Sequence, residues 1–208
     1  MSNMTGITQG TPQRIPFGAG VFFENVTYSE SAPPTQEEMI AGIMSATQEG
    51  GKITITPEFF EPDLDGKYVS VEELIQKVGE TAVMETSMVE LKPEAVAKAL
   101  IGKITESTDK NYDVITSSEL RAGHFYKGFG FYGELIGGRP FICVFKKALC
   151  TSGFGSETKN KENGKFAKTF ECKSDLEYGV TKLPYALFIY KEDKWTKVPP
   201  EEIAEPAA

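Results

Sequence analysis

The one histidine of this chain, His124, stands in the aromatic run His124 to Gly133 and is the sole imidazole available for acid–base or metal chemistry. A histidine base needs an oriented nucleophile on one side and a carboxylate on the other. The nearest acid in the sequence, Glu119, lies across a turn, so His124 reads as a packed or surface imidazole. Without a second histidine, a His-based zinc or iron centre is ruled out. Cys143, Cys150 and Cys172 make an odd count without CxxC spacing. They form neither a disulfide framework nor a zinc site, and read as partly buried thiols in a reducing cytosol.

Two acidic clusters imitate calcium loops. Asp63-Leu64-Asp65-Gly66 offers too few ligands and puts its glycine in the wrong place. Asp109-Lys110-Asn111-Tyr112-Asp113 opens like an EF-hand, but Val114 stands where the glycine is needed and Leu120 where the bidentate glutamate is needed. Both read as solvated turns. Gly128-x-Gly130-x-x-Gly133 matches a dinucleotide fingerprint in letters only. It lies in a strand-like run and opens no helix, so it reads as a twisted strand that another backbone or ring approaches closely. The sequence thus offers no catalytic residue, no metal site and no cofactor site, and the chain is expected not to be an enzyme.

The elements explain what the chemistry does not. The 208 residues suffice for one domain with a sizeable core. Hydrophobic residues make up 40% and charged residues 25%; 20 glycines with 14 phenylalanines and 8 tyrosines favour strands and turns. The net charge of −8 disfavours tight nucleic-acid binding, because an acidic chain releases no counterions from a phosphate backbone. No apolar run is long enough to span a bilayer, so no membrane partner is expected. The polar start, Met1 to Gly10, does not resemble a signal peptide.

Along the chain, residues 1–16 read as a flexible arm that orders on a partner. Phe17 to Tyr28 reads as a strand. Thr35, with Glu38 three residues on, is a capping box opening a short helix. Gly50-Gly51 reads as a turn into a strand, Lys52 to Thr56, with Ile53 and Ile55 toward the core. Residues 57–67 read as a loop whose Phe59 and Phe60 need a cover. Ser70 and Glu73 suggest a second capping box on a helix over 70–78, stopped by Gly79. A strand over 81–89 and a helix over 92–101 follow. Next come an aromatic hairpin, 124–136 with 139–149, turning at Gly137-Gly138, then a polar loop, a strand over 165–173 and a closing strand over 183–190. The tail, 193–208, is acidic and proline-rich. The expected fold is mainly β, a sandwich or small barrel with one or two short helices, in a single domain over 17–192.

With these parts in place, the segments GGKITITPEFFEPDLDG (50–66), VGETAVMETSMVELKPEAVAKALIG (78–102) and GKFAKTFECKSD (164–175) resemble the major tail tube proteins of long-tailed bacteriophages. The resemblance covers roughly residues 15–192. It implies a structural virion protein, made in the host bacterial cytoplasm and carried in the tail, that forms stacked hexameric rings. Their joined inner sheets would line the conduit for DNA ejection, with DNA passing without specific binding. It implies as partners the chain itself, a tape measure protein, and tail terminator or distal tail proteins. The family's long inter-ring loop corresponds by position to 57–79, and the inter-subunit contacts expected are Phe17, Phe59, Phe60, Asp63, Leu64 and Asp65. Two other readings fit the same parts. One is the tube protein of a contractile tail or a phage-tail-like bacteriocin. The other is a β-sandwich carbohydrate-binding module using the aromatics of 125–132.

Overall fold

The computed structural model describes Thr11 and residues 14–108, 110–158, 160–161, 163–179 and 181–191. Most of the expected arm, Asp109 of the EF-like cluster, and the tail with Trp195 lie outside the described residues. The fold is mainly β: a curled sheet forming half a barrel, a separate two-stranded sheet, and two α-helices in one domain.

The elements are β1 (Pro16–Phe23), α1 (Gln36–Ala41), β2 (Thr47–Phe60), β3 (Gln76–Met88), α2 (Pro93–Leu100), β4 (Gly102–Glu106), β5 (Asp113–Ser117), β6 (Tyr126–Leu135), β7 (Pro140–Cys150), β8 (Phe166–Cys172) and β9 (Tyr185–Ile189). The curled sheet runs β1-β6-β7-β8-β3-β2, with β9 added to β7, and every pairing is antiparallel. β7 is shared along its length. Phe141–Phe145 pair with β9 and Ala148–Cys150 pair with β8, while β6 lies on its other side.

Alternation divides the apolar residues between two faces. The concave face holds Phe22, Phe129, Phe131, Phe145 and Phe170, all fully or almost fully buried. Phe129 and Phe170 have ring centroids 4.2 Å apart, and Tyr126 meets Phe170 edge-on at 5.1 Å. Such offset and edge-to-face contacts add to the burial of the rings. The convex face carries a smaller cluster, Phe23, Val26, Ile142 and Val144, covered by Met39 of α1. α2 places Ala99 against the first cluster and holds Lys98 Nζ 4.5 Å from the centre of the Tyr126 ring, where Glu24 pairs with it at 2.7 Å.

The glycines of 128–133 are close-approach positions. A Cβ at Gly130 would lie 2.5 Å from the Phe23 ring, and one at Gly128 only 1.9 Å from the Val26 carbonyl oxygen. The capping box of α1 is present: Glu38 N–H donates to Thr35 Oγ1, and Thr35 N–H donates to Glu38 Oε2.

Four local expectations change. Gly50-Gly51 is not a turn but lies within β2, where Glu49 and Gly50 have φ of 71° and 74° and the register with β3 shifts. That is the signature of a bulge. Phe59 and Phe60 are the last residues of β2 and not part of a loop. The helix expected over 70–78 is a single 3-10 turn, Glu72–Leu74, and Gln76 to Gly79 are already strand. The pair β4–β5 was not expected from the sequence.

Candidate assembly surface

β2 and β3 form a ladder from Thr47↔Met88 out to Phe60↔Gln76. Fourteen residues of strand span about 45 Å. The inner part is anchored, since Ala82, Met84 and Met88 of β3 are buried and β8 pairs with Val83–Met88. The outer part is not: Pro57–Phe60 and Gln76–Val78 are all exposed. Phe59 is 62% and Phe60 55% exposed, with Tyr68 at 95% in the connecting segment. A two-stranded ribbon with large apolar groups on both faces is marginal in water unless something else packs on it.

The connecting segment, 61–75, is nevertheless ordered by one carboxylate. Glu61 Oε1 accepts from Val71 N–H at 2.9 Å, Glu61 Oε2 accepts from Ser70 Oγ at 2.9 Å, and Lys67 Nζ lies 3.1 Å from Oε1. The Val71 amide, then Lys67 and Ser70, hold the Glu61 pKa below its ordinary value. Lys67 Nζ also donates to the Pro62 carbonyl at 2.7 Å. Ser70 therefore answers to Glu61, not to Glu73 as a capping box would require.

Asp63, Leu64 and Asp65 lie in this segment, where Lys67 N–H donates to the Leu64 carbonyl and Gly66 has φ of 88°. They form a tight turn beyond the end of β2, next to Phe59 and Phe60 in the chain. Phe17 is elsewhere, on β1 opposite Glu134, and is 72% exposed. The six expected contact residues thus fall on two regions. Sequence reasoning missed Tyr68 and Val69, exposed apolar neighbours that fall between the loop expected over 57–67 and the helix expected over 70–78.

The other candidate chemistries resolve structurally. His124 is buried; its Nδ1 accepts from Arg121 N–H at 2.9 Å, and Nε2 lies 3.1 Å from the Gly102 carbonyl. Both ring nitrogens are taken by backbone. The three cysteines are buried free thiols, and burial pushes Cys143 and Cys172 up to about 12. Among the described residues, no group of three or more His, Cys, Asp or Glu gathers to hold a metal. Of the aromatics in 125–132 offered as a sugar platform, Tyr126, Phe129 and Phe131 are buried in the core, while Phe125 and Tyr132 are half-buried.

The outer edge of β2 pairs with no described strand, and β3 from Gln76 to Ala82 is unpaired on its β8 side. Open edges of this kind are templates for another chain. The solvent face of β2, β3 and β8 is polar, with Thr54, Ser87 and Thr169 between the ion pairs Lys52–Glu85 at 2.8 Å and Lys173–Glu171 at 2.5 Å.

No known family model and no curated protein matches this chain. Among solved structures it is similar to a chain of the "Virion of native gene transfer agent (GTA) particle", with 7% sequence identity and a TM-score of 0.39, over 82% of this chain and 95% of that one.

Proposed function

We propose that this chain is a structural virion subunit that associates with copies of itself into stacked, hexameric rings forming a phage tail tube, the conduit for DNA ejection. The observation that carries this reading is the β2–β3 hairpin, whose outer part leaves Phe59, Phe60 and Tyr68 uncovered. A free subunit gains nothing from holding such groups in water. Burying each phenylalanine against a neighbour contributes roughly 1.5–3 kcal/mol, repeated at every subunit. The open edges of β2 and β3 fit the same reading, because closure into a ring pairs every edge and leaves none exposed. The resemblance of 50–66, 78–102 and 164–175 to tail tube proteins supplies the form of the assembly.

In this reading the polar face of β2, β3 and β8 lines the lumen. Its threonines, serines and neutralised ion pairs hold phosphate weakly, and the net charge of −8 keeps DNA from adhering. The chain works without catalysis or cofactor. Its partners are its own copies, with tape measure and tail-end proteins at the termini of the tube.

The test is the double variant Phe59→Asp with Phe60→Asp. Both side chains are exposed in the subunit, so it folds with a thermal midpoint close to the parent. The expected outcome by negative-stain microscopy is loss of tubes. Tubes of normal length and number would refute the proposed contact.

A further inference from the structure

The polar segment between β7 and β8 holds the pair Asn163-Gly164, the one asparagine of this chain that a glycine follows. Asparagine before glycine is the pair favoured by type I′ hairpin turns, which need φ above zero at both positions. Here the pair does not serve that turn. Neither Asn163 nor Gly164 has a positive φ; the described residue near them that does is Lys161, at 65°. The segment closes just beyond the pair, at a bridge where Lys165 N–H donates to the Glu157 carbonyl at 3.1 Å and Glu157 N–H donates to the Lys165 carbonyl at 3.3 Å.

What the fold leaves open at this pair is its reactivity. Asn163 is exposed. Its carboxamide makes no hydrogen bond to any described residue, and the Gly164 N–H donates to none. A ladder or a cap would hold the two groups to other partners; neither does so here. Gly164 carries no Cβ beside its nitrogen, so nothing on that residue shields it from the Asn163 side chain. Bonding of that nitrogen to Asn163 Cγ closes an unstrained five-membered ring. Asn160 is also exposed, but Lys161 follows it and brings a side chain to the corresponding nitrogen.

We propose that Asn163 is a site of spontaneous deamidation in the folded subunit, with water as the co-reactant. The Gly164 nitrogen gives its proton to solvent base and bonds to Asn163 Cγ. The Cγ–Nδ2 bond breaks and ammonia leaves, which forms a cyclic imide. Water then opens the imide on one of its two sides. Cleavage between nitrogen and Cγ gives an ordinary aspartate. Cleavage between nitrogen and the main-chain carbonyl carbon gives an isoaspartate, whose backbone runs through the side chain. The sum is amide plus water to carboxylic acid plus ammonia, with nothing oxidised or reduced. The carboxylate adds one negative charge to the net −8. It stands two residues from Lys165, whose ion pair with Glu49 at 2.5 Å ties the entry of β8 to the bulge of β2.

The experiment keeps the purified full chain folded at mildly alkaline pH and samples it over days. Isoelectric focusing follows the charge, and peptide mass spectrometry with enzymatic isoaspartate methylation locates it. A more acidic form is expected to accumulate, faster as pH rises, with aspartate and isoaspartate both found at position 163 and Asn160 lagging far behind. Gly164→Ala is the second arm. A Cβ at Gly164 would lie 3.4 Å from Thr158 Cγ2, an ordinary contact, and φ there is not left-handed, so this variant folds like the parent. Its methyl group crowds the attacking nitrogen, and the acidic form is expected to appear at least several-fold more slowly. Modification of Asn163 no faster than of Asn160, or at the same rate in Gly164→Ala, overturns the proposal. So does a folded chain that keeps Asn163 intact while the same chain in urea loses it, because the fold then protects the pair.

Discussion

Glu61 gathers three donors, the Val71 amide, the Ser70 hydroxyl and the Lys67 ammonium, and so gives a solvent-facing segment a fixed shape. Its depressed pKa sets the sign of the acid response. The interaction is fully present above the pKa that Glu61 has in the unfolded chain and is lost as pH falls through the lower folded value. Above the ordinary glutamate range the tip is held, and acid beyond that range releases it. Glu61→Gln removes the charge at all pH. The variant is expected to exchange its Val71 amide faster at neutral pH, with the thermal midpoint moving by no more than about 2 °C, since the contact is local and half-exposed. Hydrogen exchange followed by mass spectrometry checks both the variant and the pH response; equal Val71 protection in parent and variant would contradict the role given to Glu61. This hub was not legible in the sequence because two of its partners, Ser70 and Val71, lie nine and ten residues away across a hairpin end. Ser70 and Glu73 offered a nearer pattern that the backbone does not use. His124 was legible, because a lone imidazole among aromatics has few alternatives to packing.

At the scale of elements, the β2–β3 hairpin is where sequence and structure part. Pro57 and the pair Phe59-Phe60 suggested a loop, yet proline is permitted on an edge strand, where its missing N–H faces no partner, and β2 is such an edge. Gly50-Gly51 suggested a turn and instead serves a bulge, with Gly51 leaving room for the Phe22 ring, which a Cβ there would approach to 2.6 Å. The β4–β5 hairpin had a readable signal in β4, where Ile104 stands between Lys103 and Thr105, opposite Ile115 of β5. By contrast the aromatic hairpin β6–β7, the Thr35 capping box and helix α2 follow directly from local pattern. The outer ladder makes no contribution to either buried cluster. Replacing residues 58–79 by an Asn-Gly turn between Pro57 and Glu80 is therefore expected to move the thermal midpoint by no more than about 4 °C, a change of about 1 kcal/mol for a domain this size. Assembly is expected to be abolished. A large loss of stability by calorimetry would mean that the hairpin belongs to the core of the single subunit.

The whole molecule joins these parts through contacts distant in sequence. Curling brings β1 toward β2, so that a Cβ on Gly50 would lie 3.5 Å from the Ala19 carbonyl oxygen. β9 completes β7 from the far end of the chain. No local pattern encodes that order, which is why a mainly β fold, with a small barrel among its expected forms, was readable while the strand order was not. In the proposed assembly, the unpaired edges and the exposed tip serve association between identical chains. The most direct measurement is electron microscopy of the purified chain over a rising series of concentrations. Rings and stacked tubes of regular diameter, growing longer as concentration rises, are the predicted result. A population of single subunits that never associates at any concentration would contradict the account.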